Sequence, residues 1–353
     1  MPYPDLEPNP DFDRLKSVIA CREPDRVPFI ELFLDEEVMV AIQERPFSDD
    51  PARRCREIAD LYFRLGYDYV PAGTDLTFAH DAVEAEDTAA LSRGRRSWLQ
   101  ESGGVIQTRE DFESYAWPVP GEGLLVSVER AAEARRDGMG LIPLGPGGVL
   151  ENVMWLMGYG PMSYAMADEP DLVQAVFQRV GETLVQVFGS MAGHEAVDAV
   201  FLGDDMGFKT QTMISPEAMR RYVFPWQRRI VEAVHARGKP LLLHACGNLE
   251  AVMDDLIDRV GIDAKHSFED VITPVTEAKR RWGDRVALLG GIDVDLLSRG
   301  TPEQVRRRTR EVLEVCMPGG GYALGSGNSV ANYVSVENYL AMLEEGWRSG
   351  VYA

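Results

Sequence analysis

The chain has 353 residues, with 36 Lys and Arg against 57 Asp and Glu, for a formal charge of −21. That balance excludes nucleic acid and anionic membrane surfaces as partners, and disfavours a highly anionic substrate unless a local arginine cluster receives it. Hydrophobic residues make up 45% of the chain, enough for a sizeable core, and no run of about 18 apolar residues marks a membrane span.

The first residues, Met1-Pro-Tyr-Pro-Asp-Leu-Glu-Pro8, hold no basic segment followed by an apolar one, so no secretory signal is expected. Residues 11–21 read as a first helix. A turn over 22–26 leads into residues 27–34, a predicted strand. Helices over 36–44 and 51–65 follow, the second with Pro51 in its first turn, and residues 68–71 form the second predicted strand. Residues 77–120 break the rhythm. Segments 97–100 and 105–108 flank Glu101-Ser-Gly-Gly104, a hairpin signature, and the stretch reads as an excursion near the mouth of the fold. Residues 124–137 are predicted helical and 140–144 form the third strand. It leaves through Gly145-Pro-Gly-Gly148 into an apolar helix over 149–157, and a long amphipathic helix over 171–192 follows.

From there strand and helix alternate regularly. Strands are predicted over 199–202, 241–245, 264–266, 286–289 and 322–324, with helices over 215–235, 249–259, 273–281, 301–316 and 336–347 between and after them. Ser215 and Thr301 suit helix caps, each followed by proline. Eight strands, each followed by helix, predict an α/β protein. The expectation is a single (β/α)₈ TIM-type barrel domain over residues 1–353, with an N-terminal helical extension and a hairpin excursion after strand 2.

In such barrels the chemistry sits on the loops that follow the strands. Glu31, Asp75, Glu151, Asn152, Asp204, Asp205, Lys209, His244, Cys246, Asn248, His266, Ser267, Glu269, Asp293, Ser326 and Asn328 all fall near predicted strand ends. Roughly half suit simple helix caps, since such loops favour Asp, Asn and Ser for that purpose. Within Asp204-Asp205, adjacent side chains point apart, so one faces the pocket and the other caps backbone. The stretch Lys239-Pro-Leu-Leu-Leu-His-Ala-Cys-Gly-Asn248 is the most informative. Alternation along a buried strand projects His244 and Cys246 to one side. A lone His-x-Cys is more often packing than ligation, but at a strand end this pair reads as half of a zinc site needing one more protein ligand and an open position. Glu269 and Asp293 are the better third ligands, with His266 behind them. Cys316 closes the helix before the last strand and is expected at the opposite rim. The four cysteines, Cys21, Cys55, Cys246 and Cys316, follow no framework spacing, which suits a reducing cytoplasm.

At His244-Ala-Cys-Gly-Asn248, with the Gly203-Asp-Asp205 loop before it and Gly325-Ser-Gly327 after the last strand, the chain resembles the uroporphyrinogen decarboxylase superfamily. The resemblance runs nearly the whole length and takes in Pro24-Asp-Arg-Val-Pro28, Gly145-Pro146 and Gly290-Gly-Ile-Asp293. It implies one of two activities. The porphyrinogen decarboxylase branch works without a cofactor and holds substrate carboxylates through an arginine motif after its first strand. Here that stretch is Phe29-Ile-Glu-Leu-Phe33, its tyrosine position falls on Asn152, and its late Gly-His-Gly is Gly325-Ser-Gly327. The methylcobamide:coenzyme M methyltransferase branch binds zinc through a His-x-Cys and a later Cys. It fits better at His244 and Cys246, and departs where its later Cys becomes Ser326.

The leading expectation is therefore a zinc-dependent methyltransferase moving a methyl group between a corrinoid carried on a partner protein and a small thiol or other donor or acceptor. His244, Cys246 and Glu269 would hold the metal, and Asp205, Asn248, Glu269 and His266 would serve catalysis. Glu31, Asp75, Asn152, Asp204, Asp293, Ser326 and Asn328 would contact substrate. The alternatives are a metal-free decarboxylation of a carboxylated substrate and a non-catalytic binding barrel. The barrel face without catalytic residues is available to pair two subunits.

Overall fold

A computed structural model describes residues 4, 6–99 and 102–352 of the chain. Seven of its strands are parallel and short. Strand β1 (Tyr69–Ala72) pairs with β4 (Gly140–Pro143), while β5 (Val200–Gly203), β6 (Leu241–His244), β7 (Ala264–His266), β8 (Ala287–Leu289) and β9 (Tyr322–Ala323) form one sheet in chain order. Single bridges extend these pairings: Leu144 pairs with Phe201, joining β4 to β5, and Phe29 pairs with Leu324 beyond β9. Helix lies between each parallel strand and the next, after a hairpin in the case of β1, as a crossover requires.

The first predicted strand is corrected. Residues 27–34 touch their neighbours only through isolated bridges, Phe29 to Leu324 and Leu34 to Val330. Pro28 has no N–H to give. On the other side the Tyr69 hydroxyl stands in for a ladder, donating to Glu31 O at 2.9 Å and accepting from Glu31 N at 3.1 Å. Among the described residues no backbone hydrogen bond joins 27–34 to β1, so strand pairing leaves that one seam unclosed.

The hairpin is also corrected. Strands β2 (Ala82–Glu86) and β3 (Arg95–Leu99) pair antiparallel, with Val83 opposite Trp98. Residues 105–108 hold no strand, and Thr108 caps the helix Arg109–Ser114. Gln100 of the first expected strand segment and Glu101 of the expected turn lie outside the described residues. The connection is instead organised by Asp87, whose carboxylate accepts from Ala89 N and Arg93 N, with Gly94 at φ +82°. This connection rests on the loop after β9: Leu91 N donates to Asn332 O, and Asn332 Nδ2 to the Asp87 carboxylate.

The helix Pro170–Gly193 shows why the outer layer holds. Val173, Val176, Phe177, Val180, Leu184, Val187 and Phe188 recur at intervals of three and four and are all fully buried. Each such side chain contributes about 1.5–3 kcal/mol on leaving water. The helix predicted over 215–235 is interrupted by a wider π-type turn at Met219–Val223 before Phe224–His235. Pro225 explains it, since that residue cannot return a hydrogen bond to the preceding turn. Among the described residues no helix is long and apolar enough to cross a membrane.

Candidate metal centre

Strand β6 delivers His244 as its last residue, and Ala245 turns back into hydrocarbon, leaving Cys246 on the same side as His244. The Cys246 Sγ lies 3.2 Å from His244 Nε2. In the parallel register His244 sits beside His266 at the end of β7, and their Nδ1 atoms are 2.8 Å apart. One His244 nitrogen thus faces the sulfur and the other is fixed by a second imidazole.

Gly247, at φ +82°, brings a third side chain in. A Cβ built there would fall 2.1 Å from Gly207 O, so only glycine lets the loop after β5 cross this closely. That loop carries Asp205, whose Oδ1 accepts from Cys246 N at 3.0 Å and lies 3.7 Å from His244 Nε2. Ligating atoms of Asp205, His244 and Cys246 lie within 4.8 Å of one another. An imidazole nitrogen, a thiolate and a carboxylate oxygen are the donors that a borderline-soft divalent metal accepts, with a fourth position open.

The electrostatics fit that use. Burial pushes His244 down to about 4, against the pull of Asp205, and holds His266 well below its ordinary range, helped by His244 and Lys265. Both rings are therefore neutral near pH 7, the state in which an imidazole nitrogen can ligate. Burial, then Asp205, pushes the Cys246 thiol well up. The Ser267 hydroxyl, at 3.8 Å from the sulfur, and the Lys265 charge oppose this, and Asn328 Nδ2 also donates to the sulfur at 3.0 Å. Beneath them Lys265 Nζ is enclosed by the carbonyls of Ala245, His266 and Ser267 at 2.9, 2.6 and 2.8 Å. Burial lowers this ammonium to about 8. Lys265 joins the ends of β6 and β7 and was missed by the sequence reading. Its one signal was a charged residue inside a strand whose neighbours are buried.

The remaining expected residues separate. Asp204, expected to contact substrate, is fully buried and accepts from Val149 N, Glu151 N and Gln227 Nε2. It anchors the start of the helix Val149–Met157. Asn152 is likewise buried and braces the turn before it, giving hydrogen bonds to Pro146 O and Gly148 O. Asp293 has both carboxylate oxygens on backbone amides, of Asp295 and Asp270. Asn248 Oδ1 accepts from Glu250 N. Glu31 is buried and bonds to Ser326 N and Oγ, so these two residues engage each other. Asp75 is exposed, beside Ser127. Glu269 is half-buried, its carboxyl raised by burial and Asp293, and it is not among the residues whose ligating atoms meet. Cys316 is buried at the end of the helix Pro302–Cys316. Glu151 gains interest, since burial, then Asp205 and Asp204, hold its carboxyl well above the usual range.

The model of a family described as "Uroporphyrinogen decarboxylase (URO-D)" matches residues 106–346. A methylated-thiol--coenzyme M methyltransferase of Methanosarcina mazei is 30% identical over 174 residues, which is 49% of this chain and 44% of that protein, so the chain spans less than half of that relative. A uroporphyrinogen decarboxylase of Anaeromyxobacter dehalogenans is 24% identical over 342 residues, 92% of this chain and 89% of that protein. The solved structure of a methyltransferase from Methanosarcina mazei superposes with a TM-score of 0.71 at 18% identity, covering 94% of this chain and 97% of that one. That likeness shows a shared fold.

Proposed function

The chain belongs to the uroporphyrinogen decarboxylase family, and we propose that within it the protein is a methyltransferase whose metal is held by Asp205, His244 and Cys246. The whole chain is read as one (β/α)₈ barrel, with the site at its mouth and the hairpin excursion beside it. The carrying observation is the convergence of the Asp205, His244 and Cys246 ligating atoms within 4.8 Å. Support comes from the 30% identity to a methylated-thiol--coenzyme M methyltransferase. Asp205 takes the third place that the sequence reading gave to Glu269 or Asp293.

A zinc ion held there would supply Lewis-acid polarisation of a substrate heteroatom, lowering the pKa of a thiol or assisting a leaving group. The residues do the rest. His266 holds His244 in one ring orientation, as an outer partner of a ligand does. Cys246 would hold the metal as its thiolate, its proton passing to solvent, and Asn328 and Ser267 present hydrogen-bond donors to its sulfur. Glu151, its carboxyl held above the usual range by burial and by Asp205 and Asp204, is placed to give or receive a proton near Asp205. The substrate is a small methyl donor or acceptor, and the corrinoid arrives on a separate protein.

The test is metal content. Protein purified without chelator should carry about one zinc per chain, and Cys246→Ser should lose it together with methyl transfer from methylcobalamin to a thiol. Metal-free protein with full activity ends the proposal. A second reading, decarboxylation of a carboxylated substrate, is favoured by the match to a uroporphyrinogen decarboxylase across 92% of the chain. Carbon dioxide release from a porphyrinogen, undiminished in Cys246→Ser, would select it.

A further inference from the structure

We propose that a lateral cleft between the helices Glu36–Gln43, Pro51–Arg64 and Val126–Ala134, against β1, binds a small carboxylate with an apolar body. The cleft has a volume of about 340 Å³. A cavity of roughly 150 Å³ admits benzene, so this space suits an aryl or alkyl acid of about a dozen non-hydrogen atoms. It lies beside the seam where residues 27–34 and β1 share no backbone hydrogen bond. Its walls include Met39, Ile58, Tyr62 and Val70.

The sign of the ligand comes from the cations that line the same cleft, Arg54 and Arg130. Arg54 is already engaged, 2.5 Å from the Glu36 carboxylate and stacked over Phe47 at 5.1 Å. Arg130 is half-buried and makes no ion pair or hydrogen bond among the described residues. The chain has an excess of acidic side chains, yet this guanidinium at an apolar cleft has none of them. A planar fork of donors in that setting selects a carboxylate, which it can hold through two parallel bonds. No acidic side chain lines the cleft to oppose an anion. Cys55 lines it as well, its thiol pushed up by burial and pulled down by Arg130, Arg54 and Arg56. That sulfur is a built-in reporter of occupancy. The inference is independent of whether the metal centre is filled.

The test measures maleimide labelling of the full-length chain, resolved by peptide mass spectrometry at Cys55 and Cys246. The probes are 4-phenylbutyrate and its neutral amide. The acid should slow Cys55 labelling on the order of tenfold more than the amide, the discrimination that a charged hydrogen-bonded pair gives, and leave Cys246 unaffected. Arg130→Gln should abolish the preference for the acid, Arg130→Lys should keep part of it, and Arg56→Gln, a neighbour outside the lining, should keep all of it. Equal protection by acid and amide, protection at Cys246 alone, or an undiminished preference in Arg130→Gln overturns the proposal. The comparison of acid with amide stands on unaltered protein and needs no variant to fold.

Discussion

Two regions of this protein bury polar groups, and they do so to opposite ends. At β6 and β7, His244, Cys246 and the incoming Asp205 bring three ligand-type atoms within 4.8 Å of one another, with Cys246 Sγ 3.2 Å from His244 Nε2 and Asp205 Oδ1 accepting from Cys246 N. Across the fold, where residues 27–34 meet the end of β9, Glu31 takes Ser326 N and Oγ, Tyr69 takes both backbone groups of Glu31, and the Tyr67 and Tyr339 hydroxyls bond to each other. The second region is as buried and as rich in titratable groups, but it is closed on itself. Burial of ionisable groups is therefore a poor guide to function on its own, and the gathering of imidazole, thiol and carboxylate at metal-ligand distances is the better one.

The largest effect should separate the two regions outright. Cys246→Ser and His244→Ala should each reduce bound zinc from about one per chain to near zero, measured by plasma mass spectrometry after dialysis. Ser326→Ala, in the closed region, should retain the metal. Loss of metal in Ser326→Ala with retention in Cys246→Ser would reverse the comparison.

The next contrast lies in two adjacent residues. Asp204→Ala strands Val149 N, Glu151 N and Gln227 Nε2 inside the protein, and should cost about 3 kcal/mol or more in denaturant unfolding while the folded variant still binds zinc. Asp205→Ala removes a part-exposed carboxylate. It should change apo-protein stability by less than about 1 kcal/mol and weaken zinc at least about tenfold in competition with a chromogenic chelator. Similar outcomes for both would mean that the two carboxylates share one role.

This pair also marks how far the sequence could be read. The order of elements was legible because proline, glycine and capping residues punctuate it, and alternation along β6 placed His244 beside Cys246 without any coordinates. The exclusion of Cys316 was legible too, from its place at a helix end. The third member of the site was not. Asp205 reaches Cys246 only because Gly207 and Gly247 pass within contact distance, a long-range approach that no spacing encodes. The strand over 27–34 was overcalled for a related reason: its apolar pattern is right, but Pro28 and the Tyr69 hydroxyl replace the ladder that pattern implies. The hairpin was misplaced because Gly103-Gly104 advertises a turn more loudly than Asp87, which makes the real one by side-chain hydrogen bonds.

A third prediction uses pH to probe the closed region. Burial raises Glu31 to about 8, well above its value in an unfolded chain. Between those values the unfolded state loses the proton first, so folding stability falls as pH rises toward 8, by at most about 1.4 kcal/mol per pH unit from this one group. Glu31→Gln carries no such proton and should flatten that part of the profile in urea unfolding between pH 5 and 9. Zinc binding at fixed pH should be unaffected. A variant whose stability profile parallels that of the parent would show that Glu31 is ionised in the fold.

The smallest effect should come from the residue that touches both regions. Ser326 Oγ bonds to Asn328 O at 3.1 Å, and Asn328 Nδ2 reaches the Cys246 sulfur at 3.0 Å. If the closed region serves the open one, it does so by holding this amide in place. Asn328→Ala deletes one hydrogen bond to a ligand sulfur, worth about 1 kcal/mol, so zinc affinity should fall about fivefold with stoichiometry unchanged. Asn328→Asp exchanges the amide for an anion near the metal position and should bind zinc at least as tightly as the parent, because the attraction to a divalent cation exceeds the lost donor bond. Ser326→Ala should act in the same direction as Asn328→Ala and more weakly, since it loosens the loop without removing the amide. Equal affinities in all three variants would leave the two regions as neighbours with no working connection.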